Sequence, residues 1–131
     1  ACGLPARRAS AMSSLAATVA RDPTIFGPRA DLDEAIARLR DLPGVGEWTA
    51  QYIAMRELRE ADAFPAADLG LLRAMSGLDG KAWTAKELIA RAEKWRPWRA
   101  YAAQHLWAAE AAPAAPEDKS QKRLEPAEML V

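Results

Sequence analysis

The run LPGVGEWTAQYIAMRELREADAFPAADLGLLRAM, residues 42–75, holds three kinds of chemistry in a fixed order. Asp68 is a lone carboxylate between PAA and an apolar run. A carboxylate so placed can stabilise developing positive charge, or orient and deprotonate a water. Asp is also a favoured helix N-cap, and Asp68 can cap LGLLRAM. The two roles are compatible, because a capping side chain has a fixed position. Trp48 and Tyr52 are four residues apart and share one face of a helix. That pair forms either part of a core or the wall of a pocket with electron-rich faces. Gly44 and Gly46 permit backbone dihedrals that other residues resist and let another backbone come close. Their amides and the first turn of the next helix can grip one phosphate, reading no sequence. The alternative is a tight helix–helix turn with no ligand.

Helices must position these groups. Half of the 131 residues are hydrophobic, and strand formers never cluster into alternating runs. The fold class is therefore all-α, and the length suffices for one domain with a core. LPARRASAMSSLAATVARDP puts Met12, Leu15, Ala16 and Val19 on one helical face that ends at Asp22-Pro23. Asp31 caps DLDEAIARLRDL, with Glu34 completing a capping-box pattern and Ile36 and Leu39 facing the core. PGVG breaks that helix, and the next runs from near Glu47 to about Leu58. Pro65 makes READAFPAAD an extended connector. Thr84 and Glu87 form a second capping box. The last helix, WRAYAAQHLWAAEAA, carries Tyr101, His105 and Ala108 along one side and Trp107 beside it. From Pro113 the chain turns Pro-, Ala- and charge-rich, as in disordered tails.

Charge and cysteine usage exclude several classes. Lys plus Arg equals Asp plus Glu, so no partner is held by bulk electrostatics. Phosphate binding through helix N-termini stays open. Cys2 is the single cysteine, which excludes a disulfide framework, a Cys-rich zinc site and a four-cysteine iron–sulfur cluster. No transmembrane run or signal peptide is evident, and a reducing cytoplasm fits. His105, the only histidine, is assigned no role. Arg96 and Arg99 either touch phosphate or solvate a helix end. Trp83, Trp95 and Trp98 are assigned to packing.

Together, LPGVGEWTAQYIAMREL, DAFPAADLGLLRA and WRPWRAYAAQHLW resemble the DNA-3-methyladenine glycosylase II family, within the helix–hairpin–helix DNA glycosylase superfamily. The similarity runs from about Gly3 to Ala111 and covers the C-terminal part of the catalytic domain. It implies a glycosylase helical bundle over residues 1–112, a partial domain because fuller members add an N-terminal region. The hairpin spans about residues 31–58, and residues 113–131 form the tail. Asp68 matches the catalytic aspartate, and Trp48, Tyr52 and Trp107 match the base pocket. Gly44, Gly46 and Thr49 match the amides that hold DNA phosphate. Main-chain carbonyls of Arg40, Leu42 and Val45 would hold a monovalent cation, Na+ or K+. Ala108 stands where some members carry another aromatic, which widens the pocket.

The implied activity is that of a monofunctional DNA glycosylase. It would flip alkylated purines of the 3-methyladenine type out of double-stranded DNA in base excision repair and hydrolyse the N-glycosidic bond. Related glycosylase-lyases carry a Schiff-base lysine at the position of Trp48, so water is the expected nucleophile. No cofactor is required and no iron–sulfur cluster is expected. The protein is expected to be a cytoplasmic, nucleoid-associated monomer of bacterial type with no membrane partner. Competing readings are a non-catalytic helix–hairpin–helix fragment gripping duplex backbone, and a helical bundle that binds nothing by itself.

Overall fold

The computed structural model describes residues 3–27 and 31–111. The expected tail from Pro113 and Cys2 lie outside the described residues. Helix α1 spans Ala6–Arg21 and is followed by a 3-10 turn at Pro23–Phe26. Helices α2 (Leu32–Arg40) and α3 (Glu47–Arg56) form the hairpin, with α2 packed on α3. Helix α4 (Leu69–Asp79) packs on α6 (Arg99–Ala111). Between them lie α5 (Ala85–Ala92) and a short 3-10 turn at Glu93–Trp95. The described residues contain no strand, as the all-α reading requires. Among them no helix is long and apolar enough to cross a membrane.

Local chemistry sets most of these boundaries. The Asp31 carboxylate accepts from the Glu34 amide at 2.8 Å and starts α2. Thr84 and Glu87 close a reciprocal capping box at the head of α5. Gly80, with φ of 70°, ends α4 in the left-handed conformation, its amide donating to the Ser76 carbonyl at 2.8 Å. Helix α3 stops at Arg56, short of the expected Leu58, and Arg59 follows with a positive φ of 59°. Helix α6 starts at Arg99, one residue later than the sequence pattern suggests.

Ile36, Leu39, Ala50, Ala54, Leu71, Leu88, Ala103 and Leu106 belong to one continuous buried core. Small alanines on α3 and α6 let helices approach closely. Helix α1 buries none of its residues fully. Leu15 and Val19 pack half-buried against the core, but Met12 is exposed, because the α1 face that meets the hairpin runs through Ala11 instead. Trp83 and Trp95 do pack against the core, and Trp95 sets its ring edge-on to Phe64 at 5.9 Å. Trp98 departs from expectation. It is 59% exposed at the head of α6 and pairs edge-on with the equally exposed Tyr101.

The connector between α3 and α4 carries Asp68, and three ties fix it. The Gln51 side chain accepts from the Phe64 amide at 2.9 Å. The Ala61 carbonyl accepts from the Ala100 amide at 2.9 Å. Asp62 receives a fork from Arg99, Nε to Oδ1 at 2.7 Å and Nη2 to Oδ2 at 2.9 Å, and Arg96 joins the same carboxylate. Arg96 and Arg99 are therefore committed to Asp62 and Glu93.

Candidate active site and nucleic-acid interface

Asp68 caps α4, its Oδ1 accepting from the Leu71 amide at 3.1 Å. The same carboxylate collects two indoles from elsewhere in the chain. Trp107 Nε1 donates to Oδ1 at 2.8 Å, and Trp48 Nε1 donates to Oδ2 at 2.9 Å. Burial pushes the Asp68 carboxyl upward, but the Trp107 N–H, the Leu71 amide, the Trp48 N–H and the Gly70 amide together outweigh it. The carboxyl is held below its usual range and is ionised at neutral pH.

The aromatic residues form one wall. Trp48 and Tyr52 stack with ring centroids 5.3 Å apart and planes 12° from parallel. Tyr52 meets Trp107 edge-on at 6.2 Å. Arg56, one turn further along α3, sets its guanidinium 5.6 Å from the Tyr52 ring centre. These residues line a cleft of about 360 Å³ together with Asp68 and Gln104. Trp48 is 40% exposed, so its face is not consumed by the core. The pocket residues read from the sequence, Trp48, Tyr52 and Trp107, thus converge with Asp68 on one site.

Two contributors were not read from the sequence. Gly70 is the second residue of α4, where an added Cβ would lie 3.0 Å from Asp68 Oδ1 and 3.3 Å from Trp107 Nε1. The glycine makes room for the indole to reach the carboxylate. Its signal was the odd glycine inside an otherwise apolar helix start. Gln104 lines the cleft from α6 and left no sequence signal, since a polar residue at that spacing resembles any solvated helix position.

The hairpin lies beside this cleft. Gly44 has φ of 85°, which only glycine adopts readily, and its missing Cβ would sit 2.5 Å from Ala11 Cβ. Gly46 is the N-cap of α3 and supplies no side chain to cap it. The first amides of α3, up to Thr49, therefore have no intrahelical acceptor. Both glycines are exposed and Thr49 is half-buried. Glu47, the acid in this first turn, is occupied by Arg40 at 3.1 Å and by Gln51 Nε2 at 3.0 Å. Among the described residues, the Leu42 carbonyl accepts from the Val45 amide at 3.1 Å, whereas the Arg40 and Val45 carbonyls accept no backbone hydrogen bond. Orphan carbonyls of this kind suit a cation bound by main-chain oxygen.

No protein-family model matches the chain. Among curated proteins, it is 43% identical over 104 residues to the probable bifunctional transcriptional activator/DNA repair enzyme AlkA of Mycobacterium tuberculosis, covering 79% of this chain and 21% of that protein. It is 33% identical over 107 residues to DNA-3-methyladenine glycosylase 2 of Escherichia coli, covering 82% of this chain and 36% of that protein. Among solved structures, it is similar to the Schizosaccharomyces pombe 3-methyladenine DNA glycosylase Mag1 in complex with abasic DNA. That match has a TM-score of 0.69 at 28% identity and covers 81% of this chain and 54% of that one. The chain thus spans about a fifth to a third of the length of these curated relatives.

Proposed function

We propose that this chain, which belongs to the DNA-3-methyladenine glycosylase II family, supplies the catalytic and base-holding face of a monofunctional DNA glycosylase. Its substrate is duplex DNA carrying alkylated purines of the 3-methyladenine type, and its place is base excision repair. The observation that carries the reading is the ionised Asp68 carboxylate, held by two indole N–H groups at the edge of an aromatic cleft.

A base inside a duplex cannot be reached, so the nucleotide must be flipped out at a cost of a few kcal/mol, less for a damaged base. Stacking on aromatic faces returns roughly 1–3 kcal/mol per base. Trp48, Tyr52 and Trp107 offer those faces. A cationic alkylated purine gains further from an electron-rich indole. The α3 amides around Gly44, Gly46 and Thr49 hold a DNA phosphate, the helix dipole adding to each contact. The Arg40, Leu42 and Val45 carbonyls would hold Na+ or K+ by main-chain oxygen, which would rigidify the turn.

Breaking the N-glycosidic bond builds oxocarbenium-like charge on the sugar. Asp68 stabilises it electrostatically. Its lowered pKa makes it a weak base, so charge stabilisation, with orientation of the attacking water, outweighs proton abstraction. Trp48 stands where a Schiff-base amine would be needed for lyase chemistry, so hydrolysis leaves the strand unbroken. The protein acts as a cytoplasmic monomer.

The test is release of free base from methylated duplex DNA by the purified protein, with Asp68→Asn alongside. Asparagine still caps α4 through its one side-chain oxygen, and thermal denaturation of the variant checks that it folds. Release that disappears with Asp68→Asn supports the reading; release that persists removes Asp68 from catalysis.

A further inference from the structure

We infer that Gln104 is a specificity-determining residue that reads the far edge of the extruded base, its side-chain carbonyl accepting from an exocyclic amino group. The inference rests on the glycosylase reading above and adds a preference within it.

The cleft is polar at two ends. Asp68 occupies one, gripped by Trp48 and Trp107. From that carboxylate both flanking helices step away in register: Trp48 to Tyr52 to Arg56 along α3, and Trp107 to Gln104 along α6. Gln104 thus stands about one helical turn from Trp107, beyond the aromatic wall. A base whose sugar faces Asp68 must direct its distal edge toward Gln104.

The amide is also oriented. Gln104 Nε2 donates to Met55 Sδ at 3.3 Å, and Met55 is buried. Thioether sulfur only accepts, so the NH2 group belongs on that side. Among the described residues Gln104 Oε1 accepts no hydrogen bond. Gln104 forms the boundary between the cleft and a second cavity of about 300 Å³ lined by Met55, Arg59 and Tyr101. Arg56, which also lines the cleft, turns its guanidinium onto the Tyr52 ring, 5.6 Å from the ring centre.

An acceptor facing the purine 6-position matches adenine, which carries the N6 amino donor there, and opposes guanine, which carries the O6 acceptor at the same position. The cleft therefore favours alkylated adenine over alkylated guanine.

The experiment uses the full-length protein carrying this segment and duplex DNA methylated to contain 3-methyladenine and 7-methylguanine, with the two released bases resolved chromatographically. In Gln104→Leu the ratio of 3-methyladenine to 7-methylguanine release falls about tenfold, because a site built to pair with a polar group discriminates strongly. Gln104→Glu keeps the acceptor and retains the ratio. Gln104→Met, an unbranched replacement, repeats the loss should leucine disturb packing. An unchanged ratio in both apolar variants, or equal loss of both bases, overturns the inference while leaving the glycosylase reading intact. A wild-type protein that releases neither base overturns the glycosylase reading, and this inference with it.

Discussion

Trp107 Nε1 donates to Asp68 Oδ1 at 2.8 Å across 39 residues of sequence, joining the last described helix to the cap of α4. The bond fixes the carboxylate and keeps it ionised. Trp107→Phe retains an aromatic face and removes the donor. The expected result is a fall in turnover with an upward shift of the acid limb of the pH–rate profile. The sign follows from the lowered Asp68 pKa. Its stabilising contribution is present above the ordinary carboxylate value and is lost as pH falls through the lower folded-state value, so losing a donor narrows that window. A pH profile identical to wild type would remove the indole from this role.

Gly70→Ala separates activity from stability. Alanine gains up to about 1 kcal/mol of helix propensity, while its Cβ would press on Asp68 Oδ1 at 3.0 Å and the Trp107 ring at 3.2 Å. Thermal stability is expected within about 1 kcal/mol of wild type. Base release is expected to fall about tenfold if Asp68 acts as proposed, since a displaced carboxylate loses alignment. Equal loss of stability and activity would point to a packing role alone.

The two hairpin glycines should answer differently. Gly44→Ala meets both a positive φ and Ala11 at 2.5 Å, and is expected to cost about 1–3 kcal/mol in chemical denaturation. A Cβ at Gly46 meets nothing within 4 Å, and its φ of −87° suits any residue. Gly46→Ala should fold within about 0.5 kcal/mol of wild type yet bind duplex DNA more weakly in fluorescence anisotropy. Unchanged affinity would count against the amide grip.

Arg99 is a structural clamp. Its side chain is 11% exposed and Asp62 is 18% exposed, between surface and buried limits. Arg99→Ala is therefore expected to cost ~2 kcal/mol. Arg99→Lys recovers part of this without the fork geometry. Base release should fall with the loss of stability, because the clamped connector carries Asp68. Full activity in Arg99→Ala would show that Gln51 and Ala61 hold the connector unaided.

Much of this was legible in the residues themselves. Asp31, Asp68, and Thr84 with Glu87 announce helix starts because capping is local chemistry, complete within four residues. Gly44 and Gly46 mark the hairpin for the same reason. Helical period alone places Trp48 and Tyr52 on one face. The sequence could not decide that Asp68 receives indoles from both α3 and α6, because such a pairing depends on how helices cross. Nor could it separate Trp98, exposed, from Trp95, half-buried against Phe64, since both sit in the same WRPW punctuation. Gly70 and Gln104 acquire meaning only once α4 and α6 pack together. Local propensity and period set the elements; their packing alone decided which side chains share a cleft, because contacts between distant residues carry no local signature.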